Sequence, residues 1–245
     1  MEERKRLYRE ATEAVRLRDE FLSIASHELN TPIASLRLAS QAFDAESEEA
    51  PSPADFKKMM KIVERQSHRL ATLVGDLLDV TQIPIGKLKL DFTEVELCEL
   101  VRETAERHGR DIELAKCRLT LRLNREVVGR WDRARLQQVV ANLLSNAIKF
   151  APGKEIIISV GSAEGRASLV VEDRGIGIPP ERLPDIFGRF ERAVPATHYG
   201  GLGLGLYIVR AVVEALGGSV SATSVVGEGT CFTVDLPLAG PPAHA

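Results

Sequence analysis

The chain has 245 residues, 44% of them hydrophobic and 27% charged, with a net charge of −3. That balance suits one large or two small globular domains, argues against disorder, and lacks the basic excess that marks a nucleic-acid binder. No apolar run of about 18 residues is available to span a bilayer and no apolar segment marks a secretory signal, while three widely spaced cysteines, Cys98, Cys117 and Cys231, fit a reducing cytosol better than a disulfide framework or a cysteine metal site.

Tyr8, Val15, Leu22, Leu29, Leu36 and Phe43 recur at every seventh residue, with Ala25 and Ala39 between them. The spacing predicts one long helix feeding a coiled-coil or bundle seam. Residues 44–51 break it, and Ser52-Pro53-Ala54-Asp55 predicts a new start, with Ser52 as N-cap, Pro53 in the first helical position and Asp55 in the third. Phe56, Val63, Leu70 and Leu77 again recur every seven, with Met59, Leu73 and Val80 between them, until Pro84 and Gly86 stop the helix. Two such helices make a hairpin, and one hairpin cannot bury both seams. A second copy completing a four-helix bundle, a homodimer, is therefore expected.

After Gly86 the period changes. Residues 87–92 alternate as a strand does, 97–108 read as a helix, 119–123 as a strand and 133–150 as a long helix. Residues 156–160 and 167–172 read as paired strands, 203–216 as a helix ended by Gly217-Gly218, and 219–223 and 230–236 as closing strands. Strands and helices interleaved without a regular β-α-β repeat predict an α/β sandwich with one layer of each.

Four clusters carry candidate chemistry. With Leu22 and Leu29 on the seam, His27 falls on the outward face and is expected to be exposed. Glu28 follows it, Thr31 lies one turn along, and Pro32 removes a backbone donor. Most single histidines are solvated surface residues, and His68, His108, His198 and His244 keep that reading. A neutral imidazole is also a competent nucleophile when a carboxylate can take its proton, provided that an electrophile exists elsewhere.

Asn142, Asn146 and Lys149 share one stripe of the 133–150 helix, polar where a core helix should be apolar. Amide oxygens can help hold Mg2+, which takes few protein ligands besides phosphate oxygens, and a lysine one turn on can meet those phosphates. Phe150 could stack on a base, although an exposed polar face would show the same residues. Asp173-Arg174-Gly175-Ile176-Gly177 follows an apolar strand; the aspartate could accept an exocyclic amine of adenine where the glycines let backbone approach closely, and a plain turn would read alike. Gly200-Gly201-Leu202-Gly203-Leu204-Gly205 opens a helix, an arrangement that exposes N–H groups to a phosphate chain. It matches neither the Rossmann nor the P-loop spacing, and a protein-kinase catalytic loop is missing.

In their order and distances these motifs, together with Phe187-Gly188-Arg189-Phe190, resemble the core of a two-component sensor histidine kinase from about Arg18 to Leu238. The resemblance implies an α+β chain. Residues 1–19 would be a coiled-coil signalling helix, 20–86 the dimerisation and histidine-phosphotransfer domain, 87–238 a Bergerat-type ATP-binding domain with a mixed sheet, and 239–245 a tail. It implies ATP and Mg2+ as cofactors, a response regulator as partner and a cytoplasmic place of action. His27 would be the phosphoacceptor, Glu28 its proton acceptor, and Thr31 a residue aiding phosphatase activity. Asn146 would bind Mg2+ with Asn142 beside it, Lys149 a phosphate, Phe150 the adenine surface, and Asp173 the adenine amine in a pocket shaped by Gly175 and Gly177. Arg192 would reach the terminal phosphate, residues 193–200 would form a lid, and Gly201, Gly203 and Gly205 would hinge it. Asn30, Arg174 and Leu202 depart from the residues usual in such proteins without removing a group that the reaction needs. A phosphatase-dominant or adaptor homologue and a gyrase- or MutL-like ATPase are the alternatives, and the last has no need of an exposed His-Glu pair on a heptad helix.

Overall fold

The computed structural model describes residues 8, 22–23, 25–41, 52–82, 90–123, 126–191 and 202–241. They divide into two compact units, a helical one that extends to Asp79 and an α/β one that begins at Val80.

In the helical unit, α1 covers residues 25–41 and α2 runs Pro53–Gln82. The start of α2 is set by Ser52, whose hydroxyl oxygen accepts from the Asp55 N–H at 3.2 Å while the hydroxyl donates to Asp55 Oδ2 at 2.7 Å. Two groups at the helix entry are thereby satisfied reciprocally, and the acid sits at the positive end of the helix dipole. The covered side of α1 carries Ala25, Leu29, Pro32, Leu36 and Ala39, and that of α2 carries Met59, Val63, Gln66, Leu70, Leu73 and Leu77, alternating three and four residues apart. That is the seam the heptads predict, with two differences. Tyr8, Leu22 and Phe56 are 75%, 54% and 52% exposed, and a buried glutamine, Gln66, sits among the apolar residues of the α2 seam. Val15 and Phe43 lie outside the described residues.

The α/β unit runs β1 (Thr93–Glu96), α3 (Leu97–Arg107), α4 (Gly109–Leu114), β2 (Arg118–Leu123), β3 (Val128–Trp131), α5 (Arg133–Phe150), β4 (Glu155–Ala163), β5 (Arg166–Asp173), α6 (Gly205–Ala215), β6 (Ser219–Val225) and β7 (Gly229–Pro237). β1 pairs with β3, and the main sheet has the order β2-β4-β5-β7-β6. Only the β2–β4 pairing is parallel, so this sheet is mixed. Along β5 Ala167, Leu169 and Val171 are buried, and along β7 Phe232, Val234 and Leu236, every second residue in each case. Period-two burial means one covered face; α5 packs on β5, and α6 on β6 and β7.

Helix α5 follows from its sequence. Asp132 caps it, its carboxylate accepting from the N–H of Arg135 at 3.0 Å and of Asp91 at 2.8 Å. Leu136, Val139, Val140, Leu143, Leu144, Ala147 and Ile148, spaced as one helical stripe requires, are all buried. Glu96 caps α3 in the same way, accepting from Cys98 at 2.9 Å and from Val127 at 3.1 Å. Burial alone would raise its pKa, but the N–H donors of Val127, Cys98 and Glu99 together hold the pKa below the usual glutamate value.

The strand expected over 87–92 is displaced. Residues 87–89 lie outside the described ones, residues 90–92 are not strand, and pairing begins at Thr93 because its partner β3 supplies residues only from Val128 to Trp131. β3 and α4 are the elements that periodicity did not indicate. Trp131 anchors β3: its side chain is fully buried, its indole N–H donates to the Pro237 carbonyl at 2.9 Å, and Gly129 leaves room where a Cβ would overlap the indole ring. Replacing Trp131 with Ala is expected to lower the unfolding free energy of the α/β unit by about 3–5 kcal/mol, read from denaturant midpoints; a loss under about 1 kcal/mol would contradict this anchoring role.

Candidate functional site

On α1 the imidazole of His27 is exposed, as the heptad phase requires, whereas Glu28 is only 7% exposed. Adjacent residues on a helix point about 100° apart, so the carboxylate beside His27 in sequence is turned to the covered side. The Thr31 hydroxyl donates to the His27 carbonyl at 3.1 Å and that of Ser26 to the Leu22 carbonyl at 2.6 Å. Both hydroxyls are bonded back to the helix backbone rather than to the imidazole, the usual choice for Ser and Thr inside a helix. Pro32 cannot donate to the Glu28 carbonyl, which leaves α1 locally less braced just past His27.

In the α/β unit three segments meet. From α5 come Asn142, Asn146, Lys149 and Phe150, all half-buried on adjoining turns. The Asn142 amide donates to the Gly205 carbonyl at 3.4 Å, joining the stripe to the start of α6, and the Lys149 ammonium lies 4.8 Å from the centre of the Phe150 ring. An open depression lined by His108, Asp111, Leu114 and Ser145 lies on the neighbouring side of α5 and shares only Lys149 with the stripe.

From the end of β5 comes Asp173, only 6% exposed, whose Oδ1 accepts from the Gly175 N–H at 2.8 Å. Burial pushes its carboxyl above the usual aspartate range; bonds from the Gly175 and Thr230 N–H groups oppose the rise, and the Glu172 charge adds to it. The glycines here are needed. A Cβ on Gly175 would collide with the Phe150 carbonyl, and one on Gly177, at φ +70°, with the Val225 carbonyl. The Ile176 N–H also donates to the Phe150 carbonyl, at 3.3 Å, so the loop after Asp173 is fastened to the end of α5.

The third segment is the start of α6. Its N-cap, Leu204, supplies no side-chain hydrogen bond, and its first turn holds no acid. N–H groups left without a side-chain cap suit an anion. Gly203 adopts φ +68° against the carbonyl of Glu191, and Arg189 lies over the Tyr207 ring with its guanidinium donating to the Tyr207 hydroxyl at 2.7 Å. Phe187 meets Phe232 edge to face, centroids 6.4 Å apart. The Phe187–Phe190 motif is thus clamped between α6 and β7. Arg192 and Gly201 lie outside the described residues, as does the stretch 193–200.

Comparison with known proteins decides the family. Residues 17–86 match the His Kinase A (phospho-acceptor) domain and residues 131–240 the histidine kinase-, DNA gyrase B-, and HSP90-like ATPase. The solved mycobacterial sensor histidine kinase MprB is 30% identical, the match covering 62% of this chain and 99% of that one with a TM-score of 0.54. The chain belongs to the sensor histidine kinases. The circadian input-output histidine kinase CikA of Synechococcus elongatus is 35% identical over 89% of this chain, and the Acinetobacter baumannii histidine kinase AdeS superimposes with a TM-score of 0.65 at 27% identity, covering 86% of this chain and 98% of that one. The chain spans only about a third of the length of the curated relatives it matches, 30% of CikA and 38% of the Staphylococcus aureus sensor protein SrrB.

The ATP-binding domain of this histidine kinase holds two residues that motif reading passed over. Thr230, 6% exposed, lies directly across from Asp173 in the β5–β7 register, and Ser224 lies across from Thr230 in the β6–β7 register. The signal available was the alternation itself, in which both residues are polar where the covered face calls for an apolar one. With Asp173 taken as the acceptor for an adenine amine, affinity for adenine nucleotides should fall on acidification. Because its carboxyl titrates above the usual range, the fall should begin at a higher pH than for an ordinary aspartate. Asp173→Asn should bind about 10- to 100-fold more weakly and lose this component of the pH dependence, measured by calorimetric titration. Parallel pH profiles for the two proteins would contradict the assignment.

Proposed function

We propose that this chain catalyses Mg2+- and ATP-dependent phosphorylation of His27 and passes the phosphoryl group to an aspartate of a response regulator. The observation that carries the proposal is an exposed histidine on a bundle helix in one unit, together with a second unit in which Asp173, the α5 stripe and an uncapped helix start converge. In the proposed reaction a ring nitrogen of His27 bonds to the γ-phosphorus of ATP, the bond to the bridging oxygen of ADP breaks, and the imidazole proton passes to a base, a role for which Glu28 would have to turn from the covered side toward the imidazole.

Residues 20–86 would act as the phosphotransfer domain, 87–238 as the ATP-binding domain and 1–19 as a relaying helix, with 239–245 as a tail. Asp173 would hold the adenine amine between Phe150 and the Gly175–Gly177 loop, Lys149 and Arg192 would meet phosphate oxygens, and Gly201, Gly203 and Gly205 would flank the phosphate chain. For Mg2+ the fit rests on donor chemistry. Asn146 and Asn142 offer hard amide oxygens, and among the described residues there is no acid or histidine cluster able to cage a metal ion, so the ion would arrive with the nucleotide, as Mg2+ commonly does. Bound there, it would offset charge on the phosphates.

A second copy is the proposed partner of the helical hairpin. Leu22, Ile33, Phe56, Met60, Val74 and Leu78 are between 44% and 56% exposed, more apolar surface than one isolated hairpin should leave open. One structural neighbour, ThkA, is described in complex with the response regulator protein TrrA; its 22% identity supports the fold, and the kind of partner is our extension. Thr31 would serve the reverse, phosphatase reaction.

Incubation with γ-labelled ATP and Mg2+ should give an acid-labile, alkali-stable label on the chain. His27→Gln should remove it, and Asn146→Ala should slow its appearance about 10- to 100-fold. Label that survives in His27→Gln would sink the proposal.

A further inference from the structure

The covered face of the main sheet ends in a row of three polar side chains on neighbouring strands, Asp173 on β5, Thr230 on β7 and Ser224 on β6, each in direct register with the next. Residues paired directly across antiparallel strands share a face and stand about 4.5–5.5 Å apart at Cβ. The interior of the same face is apolar, with Val171 and Phe232 the next pair inward.

The hydrogen bonds in this row have only one consistent direction. Ser224 Oγ lies 2.8 Å from the Gly229 carbonyl, 2.8 Å from the Ile178 nitrogen and 2.9 Å from Thr230 Oγ1. A carbonyl can only accept, so the single Ser224 proton goes to Gly229. The Ile178 N–H can only donate, so it takes one lone pair of the serine oxygen. The remaining bond must then be donated by the Thr230 hydroxyl. Its proton is therefore turned toward Ser224 and away from Asp173, and Thr230 Oγ1 keeps only lone pairs for the side where Asp173 stands.

We infer that Ser224 is a positioning residue for base selectivity: by holding the Thr230 proton, it makes the Asp173–Thr230 pair an acceptor-only surface that admits a purine bearing an amine at C6 and rejects one bearing a carbonyl there. The inference rests on the proposed role of Asp173 as the purine anchor. Without Ser224, the Thr230 hydroxyl loses the acceptor that holds its proton and is free to turn that proton toward the side where Asp173 stands. The same hydroxyl could then rotate to donate to a carbonyl at C6, and the surface would read both kinds of purine. A buried polar site discriminates against a ligand mainly by leaving one of its own groups facing a like group, which is the situation that Ser224 enforces here.

The test is the ratio of ATP to GTP affinity, measured by calorimetric titration with Mg2+ on the full chain. Ser224→Ala is expected to shrink that ratio about tenfold, since roughly one hydrogen bond of discrimination is lost, and Ser224→Thr, which keeps the hydroxyl, should restore it. A purely structural role would weaken both nucleotides by the same factor and leave the ratio unchanged, which would overturn the inference. Should Ser224→Ala fold poorly because Ile178 loses its acceptor, Thr230→Val leaves every Ser224 bond to the loop in place and is also expected to narrow the ratio; a ratio equal to the wild-type one would overturn the inference as well. Asp173→Asn separates the two levels. If it leaves ATP affinity intact, the anchor itself is wrong; if it abolishes ATP affinity while Ser224→Ala and Thr230→Val keep the wild-type ratio, only the role of Ser224 fails.

Discussion

A carboxylate with 6% of its surface open to water is stable in charged form only where fixed donors replace the lost solvent. Asp173 meets this requirement at the end of β5 through the N–H groups of Gly175 and Thr230, and much of the surrounding backbone is shaped by it. The strand must turn at once so that Gly175 can point back, and the Phe150 carbonyl comes so close that no side chain fits there. β7 must begin one residue before Thr230, with Gly229 at φ +129° against the Asp173 carbonyl. One buried charge thus explains glycines on two separate segments and the meeting of α5, β5 and β7.

The helical unit follows a different logic, in which geometry fixes what is shown to solvent. The alternating three-four spacing puts Ala25, Leu29, Pro32 and Leu36 on the covered side, and a helix so oriented has no choice but to expose His27. Gln66 in the same seam is a polar residue among apolar ones, of the kind that restricts register in coiled coils.

Long, strongly patterned elements were legible from sequence alone. The bounds 133–150 for α5 came from its apolar stripe, and the start of α2 from Ser52, Pro53 and Asp55, because capping and periodicity are local. The antiparallel strands over 156–160 and 167–172 were also readable, as was the outward face for His27. What escaped was set by tertiary contact. β3 spans four residues and exists because Trp131 locks onto Pro237, more than a hundred positions away; α4 is a six-residue turn without a buried face. Thr230 and Ser224 look like ordinary strand residues until register brings them beside Asp173. Sequence distance sets Glu28 and Thr31 beside the imidazole, whereas helix rotation covers the first and a backbone carbonyl takes the hydroxyl of the second.

The proposed nucleotide recognition depends on Asp173 receiving an amine of the base. The most direct measurement compares the affinity of the wild-type chain for ATP with that for the triphosphate of the same purine bearing hydrogen in place of the C6 amine. Loss of an amine that a buried carboxylate receives should weaken binding by about tenfold or more, with Asp173→Asn reducing the difference. Equal affinities for the two nucleotides in the wild-type protein would contradict the account.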